Sequence, residues 1–130
     1  MLGDSKAFSS FSVDDLEKAK KFYGETLGLR VTEQGSMHVL TVDLGGGGSV
    51  IIYPKSDHRP AAFTVLNFRV PDIDHAVAKL KERNVSFESY SGAIKTDEND
   101  ISRGGDSGRG PNIAWFTDPA GNILSVIEDE

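Results

Sequence analysis

The sequence predicts an α+β domain built from two tandem copies of one βαβββ unit. Three observations carry this: a short repeat, a helical apolar stripe after each copy of it, and strand-like runs with turn chemistry after each stripe. Phe11-Ser12-Val13-Asp14-Asp15-Leu16 sets above Phe68-Arg69-Val70-Pro71-Asp72-Ile73, 57 residues further on. Both read apolar, polar, Val, any residue, Asp, aliphatic, and such self-similarity is the mark of a duplicated unit.

In the first copy, the run Ala7–Val13 reads as a strand. A helix is predicted from about Leu16 to Leu27. Asp14 or Asp15 supplies an N-cap carboxylate, and Glu17 puts negative charge where the helix dipole favours it. Leu16, Ala19, Phe22, Tyr23 and Leu27 fall at three- and four-residue steps and form one apolar stripe. Gly28 suits the left-handed position that ends a helix. Strands follow near Leu29–Glu33, His38–Leu44 and Val50–Tyr53, with Gly45–Gly48 as a hairpin turn.

In the second copy, Phe63–Val70 is the strand, Asp72 or Asp74 the cap, and Ile73, Ala76, Val77 and Leu80 the stripe. Asn84 stands where Gly28 stood. Strands are predicted near Val85–Tyr90, Ile113–Thr117 and Ile123–Ile127, the last two joined by Asp118-Pro119-Ala120-Gly121-Asn122, strong turn chemistry. The chain reads as a single domain over 1–130, with module one at about 5–57, a linker at about 58–61 and module two at about 62–128. Segment Ser91–Pro111 stands apart: polar, rich in Gly, Asp and Ser, and without apolar periodicity. Loops this long in compact domains are uncommon, so it is expected to be a lid or a surface loop.

Composition narrows the function classes. There are no cysteines, which removes disulfides, zinc–thiolate sites and thiol nucleophiles, and fits a reducing, cytoplasmic compartment. The start, MLGDSKAFSS, has neither a cationic nor an apolar leader segment, and no apolar run approaches membrane-spanning length, so no membrane partner is expected. A net charge of -6 argues against nucleic acid, which needs a basic surface. It would favour a cationic ligand only if concentrated at a pocket; otherwise it serves solubility.

Val13–Leu29 (VDDLEKAKKFYGETLGL) and Trp115–Leu124 (WFTDPAGNIL) resemble the vicinal oxygen chelate superfamily: glyoxalase I, extradiol dioxygenases, fosfomycin-resistance enzymes and bleomycin-binding proteins. The resemblance runs from about Phe8 to Glu128. It implies cupped mixed β-sheets around a ligand cavity, with the helices outside, and a homodimer. Strand alternation agrees with that picture. Ser9, Phe11 and Val13 share one face, as do Leu66, Phe68 and Val70, and these faces should pack beneath the helices. The opposite faces carry Phe8, Ser10 and Ser12 in one copy and Val65, Asn67 and Arg69 in the other, a mixture that suits a small organic ligand.

Metal-dependent relatives place ligands on the first and last strands of each module. By that resemblance the positions here are Phe8, Val65, Ser125 and either Ile51 or Tyr53, whose register the sequence leaves open. Phe8, Val65 and Ile51 offer no donor atom, and Tyr53 and Ser125 are poor ones, since such ions take carboxylate or imidazole. His38, His58 and His75 are scattered, without HxH or HxxxH spacing, and Glu128 lies three residues past the expected position. No metal or other cofactor is therefore expected. No GxSxG elbow occurs, and Gly45–Gly48 lacks the Lys-Ser/Thr of a phosphate loop and precedes a strand.

The function expected is binding or sequestration of a small organic ligand, without catalytic residues, by Phe8, Ser10, Tyr53, Val65, Asn67, Trp115 and Ser125. Trp115 offers an indole for stacking a planar or cationic group. Trp115 and Phe116 adjoin, so one faces the helix and the other the cup. Arg103 and Arg109 on the long segment are candidates to close over an anion. The competing classes are a lyase, isomerase or dioxygenase whose metal site goes unrecognised, and an accessory module that binds another protein.

Overall fold

The computed structural model describes residues 1–104 and 110–129. The chain divides into two compact units, Met1–Arg59 and Pro60–Glu130. Among the described residues each holds a four-stranded sheet with mixed strand directions and an α-helix packed against it, Leu16–Lys21 in the first and Ile73–Glu82 in the second.

In the first unit the elements are β1 (Ser9–Val13), α1 (Leu16–Lys21), β2 (Arg30–Gln34), β3 (Val39–Asp43) and β4 (Ser49–Pro54). The sheet order is β1-β4-β3-β2, with β1 and β4 parallel and the other pairs antiparallel. Asp15 is the residue that caps α1: its Oδ1 accepts from Lys18 N–H at 3.1 Å. The expected helix to Leu27 is not α throughout. From Phe22 to Thr26 the chain widens into a π turn, with Leu27 N–H donating to the Phe22 carbonyl at 2.9 Å. The widening lets two sequential aromatics turn inward. Phe22 and Tyr23 are both buried, edge to face at 5.1 Å, and Tyr23 also meets Phe11 at 6.0 Å. The core of this unit is the helix-side face of the sheet: Phe11, Val13, Leu40, Val42, Val50 and Ile52. Ser9, expected on that face, is exposed at the strand's start.

The second unit has β5 (Thr64–Val70), α2 (Ile73–Glu82), β6 (Ile101–Ser102), β7 (Ile113–Thr117) and β8 (Ile123–Glu128), in the order β5-β8-β7-β6. Asp72 is the cap, accepting from His75 N–H at 3.1 Å, and Asn84 takes a left-handed φ of 65° where Gly28 takes 74°. The strand expected at Val85–Tyr90 does not form. Phe87 makes a single bridge to Phe116, and Ile101–Ser102, fourteen residues on, pairs with Ile113 and Ala114 instead. The edge position is thus shared by two segments. Ile101 is 1% exposed, and that burial favours its place in the sheet.

The Asp118–Asn122 turn is organised by one buried carboxylate. Asp118 Oδ1 accepts from the backbone N–H of Ala120 and of Asn122, both at 2.9 Å, and Oδ2 accepts from Asn122 Nδ2 at 3.1 Å. Asp118→Ala would leave these buried donors without that acceptor. It is expected to lower folding stability by about 2–3 kcal/mol, read from urea unfolding.

Candidate functional site

Each sheet has a second face, away from its helix, and cross-strand register places the side chains on it. In the first unit Ser10 pairs with Ile51, which pairs with Thr41, which pairs with Thr32. Ser12 pairs with Tyr53 one row along. Phe8 lies just ahead of β1 and is 65% exposed. In the second unit Asn67, Ser125 and Trp115 form one row across β5, β8 and β7. Arg69, Ile127 and Ile113 form the next. Val65 belongs to no row: the register shifts between Thr64 and Leu66, leaving Val65 as the unpaired residue of a bulge.

Register also settles which residue of β4 corresponds to Ser125. Ser10 and Asn67 are equivalent in the repeat, and Ser10 pairs with Ile51 as Asn67 pairs with Ser125. Ile51 is therefore the equivalent position and Tyr53 lies two residues beyond it.

The second sheet's row is chemically organised. The Ser125 hydroxyl, fully buried, donates to Asn67 Oδ1, which orients the Asn67 amide with its Nδ2 donors away from that bond. Beside Ser125, Trp115 is half-exposed, whereas the next residue, Phe116, is 1% exposed in the helix-side core. Tyr90, which the sequence suggested only as the end of a strand, stands edge-on to the indole at 5.4 Å. Burial, and then the Glu88 charge, push the Tyr90 hydroxyl above its ordinary pKa. The face thus offers an aromatic corner, an amide donor and, on the same strand as Asn67, the exposed guanidinium of Arg69.

The residues at the four superfamily metal positions do not fit an ion. Phe8, Val65 and Ile51 bring hydrocarbon, and the Ser125 hydroxyl is committed to Asn67. Glu128 pairs with Val70, an odd number of residues from Ser125, so it lies on the helix side. There its Oε2 accepts from the Ile73 N–H that opens α2, at 2.9 Å, and its Oε1 from Asn112 Nδ2, also at 2.9 Å. It is a capping residue. Among the described residues no group of three His, Asp or Glu side chains is arranged to hold a metal ion. His38 sits in a turn with φ 54°, and His75 is exposed on α2. A groove of about 630 Å³ beside α1, walled by Glu17, Lys18, Lys20 and Lys21, belongs to the helix side and not to this face.

The described part of the long segment is tied to α2. Arg103 donates through Nη2 and Nη1 to both oxygens of Asp74, at 2.6 and 3.2 Å, and through Nε to Asp97 at 3.0 Å. Lys81 holds Asp100 at 3.1 Å. Arg103 is therefore engaged by two carboxylates and does not serve as an anion clamp; Arg109 lies outside the described residues. The Arg103 hydrogen bond holds the Asp74 carboxyl below its ordinary value. Burial would raise Asp97, but the N–H of Ile101 and the Arg103 guanidinium outweigh it, and Ser89, then Lys81, lower Asp100. Depressed carboxylates contribute stability that is present above their unfolded values and lost as pH falls through the folded ones. The Ile101 amide, bonded to Asp97 Oδ1 at 3.0 Å, is expected to lose exchange protection as pH falls through the lowered Asp97 value, beneath the ordinary aspartate range, read by NMR.

The sequence profile of the Glyoxalase/Bleomycin resistance protein/Dioxygenase superfamily matches residues 8–126. Among solved structures, TnmS3, an antibiotic binding protein from Streptomyces sp. CB03234, is 25% identical, with 98% of each chain covered and a TM-score of 0.67. A superfamily member from Sphaerobacter thermophilus DSM 20745 is also 25% identical, covering 95% of this chain and 97% of its own at a TM-score of 0.66. The fosfomycin resistance protein FosX from Listeria monocytogenes shares the fold at 11% identity, 95% and 92% coverage and a TM-score of 0.68. None of the curated proteins matches the chain by sequence.

Proposed function

The chain belongs to the glyoxalase/bleomycin resistance protein/dioxygenase superfamily, and from that premise we propose that it binds a small organic ligand on the open sheet faces without a metal ion. The observation that carries this reading is the row Asn67–Ser125–Trp115 with Tyr90 beside it. Such a surface recognises a planar group by stacking and fixes its orientation with a few polar contacts. The Asn67 amide donors and the Arg69 charge on the same face select a ligand carrying hydrogen-bond acceptors, a carbonyl or carboxylate. The first sheet's face by itself carries the Ser10 hydroxyl and the Tyr53 ring, with Phe8 ahead of β1; on the second sheet's face Val65, at the bulge, adds apolar surface. That TnmS3 is an antibiotic binding protein supports a small-molecule ligand. The homodimer implied by the family resemblance and the cytoplasmic location suggested by the cysteine-free composition belong to the same proposal.

A thermal-shift screen of planar, acceptor-bearing aromatics tests it. A ligand held at a hundredfold excess over Kd stabilises the folded chain by about 2.7 kcal/mol, and that gain should be the same with and without EDTA. Stabilisation that disappears on chelation would mean that the ligand reaches the protein through a metal.

A further inference from the structure

We propose that Ser12 and His58 form a nucleophile–base pair that accepts the acyl group of an activated carboxylic ester. The two side chains lie 46 residues apart in sequence, yet Ser12 Oγ and His58 Nδ1 are 2.7 Å apart, both half-buried. The backbone brings them together. Lys55 N–H donates to the Val13 carbonyl at 2.9 Å, extending the parallel ladder one residue past β4. A turn then closes through His58 N–H to the Lys55 carbonyl at 3.0 Å, and the imidazole comes back onto β1. Ser12 is flanked by Phe11 and Val13, both buried on the helix side, so strand alternation sends its hydroxyl to the open face, in register with Tyr53. A hydroxyl within hydrogen-bond reach of an imidazole that a backbone turn positions meets the nucleophile–base part of the geometry of an activated serine. It does so without the elbow motif by which sequence recognises one.

The chemistry balances with an ester and water alone. With the imidazole neutral and its proton on Nε2, Nδ1 accepts from Ser12. As Oγ bonds the ester carbonyl carbon, Nδ1 takes its proton. The tetrahedral adduct then expels the alcohol oxygen, which leaves with that proton. Water, losing a proton to Nδ1, adds to the acyl-serine carbonyl. Collapse restores Ser12 and releases the carboxylic acid. Neither step needs the ligand-binding row, so the pair stands or falls separately from the reading above.

The test uses the full chain with 4-nitrophenyl acetate, following nitrophenolate release and locating the adduct by peptide mass mapping. With hydrolysis of the acyl-serine as the slower step, the expected result is a burst of one nitrophenolate per chain and, in acid-quenched samples, an acetyl group on Ser12, absent in Ser12→Ala and formed roughly 100-fold more slowly in His58→Gln. A fluorophosphonate should label Ser12 in the wild type and lose that labelling in His58→Gln. If Ser12→Ala proves unstable, Ser12→Cys replaces it: its alkylation by iodoacetamide should fall when His58→Gln is added. Acetylation confined to lysines or the N-terminus, or a Ser12 rate indifferent to His58, would overturn the proposal.

Discussion

Phe116→Ala is expected to lower folding stability by about 3–5 kcal/mol, the cost of emptying an aromatic site in a packed core. Phe116 is 1% exposed and its ring lies 5.5 Å from that of Phe87, the residue that bridges to it. In a domain of this size the melting temperature should fall by roughly 10–20 °C. Urea or thermal unfolding followed by circular dichroism reads the effect.

Trp115→Ala, one residue away, is expected to do the reverse: little to stability and much to binding. Its indole faces the open side, half-exposed and touched edge-on by Tyr90, so its removal empties little of the core. Folding stability should stay within about 1 kcal/mol of the wild type. Affinity for a planar ligand from the thermal-shift screen should fall about 30-fold, equivalent to about 2 kcal/mol of stacking and burial. Isothermal titration of both proteins with the same compound measures it. An unchanged Kd would remove Trp115 from the site. The contrast between adjacent residues is the consequence of strand alternation.

That contrast also indicates what the sequence made legible. The two helix-opening motifs were readable because capping is local: Asp15 and Asp72 each accept from the N–H three residues on. The strands β7 and β8 were readable because their turn is encoded in five consecutive residues. Local signals failed where the partner is distant. Val85–Tyr90 has strand composition, but its place at the sheet edge is shared with Ile101, which buries more completely and arrives after a polar segment. The π turn at Phe22 follows from packing two aromatics into one core, which periodicity alone does not reveal. At the site, alternation put Asn67 on the face away from the helix but left Trp115 and Phe116 interchangeable; the ladders put Asn67, Ser125 and Trp115 in one row. The register of β4 needed the ladder to Ser10. The Ser12–His58 contact was invisible because it depends on the turn at Lys55–His58, and Tyr90 because its contact with Trp115 crosses from a segment expected to be regular.

Metal-free binding rests on the donor chemistry of four positions, Phe8, Ile51, Val65 and Ser125, and elemental analysis tests it most directly. Protein purified without a histidine tag and without chelator should carry well under one equivalent of nickel, zinc, iron or manganese per chain, and its ligand affinity should be unaffected when those ions are added. One equivalent of any of them, retained through gel filtration and needed for binding, would contradict it.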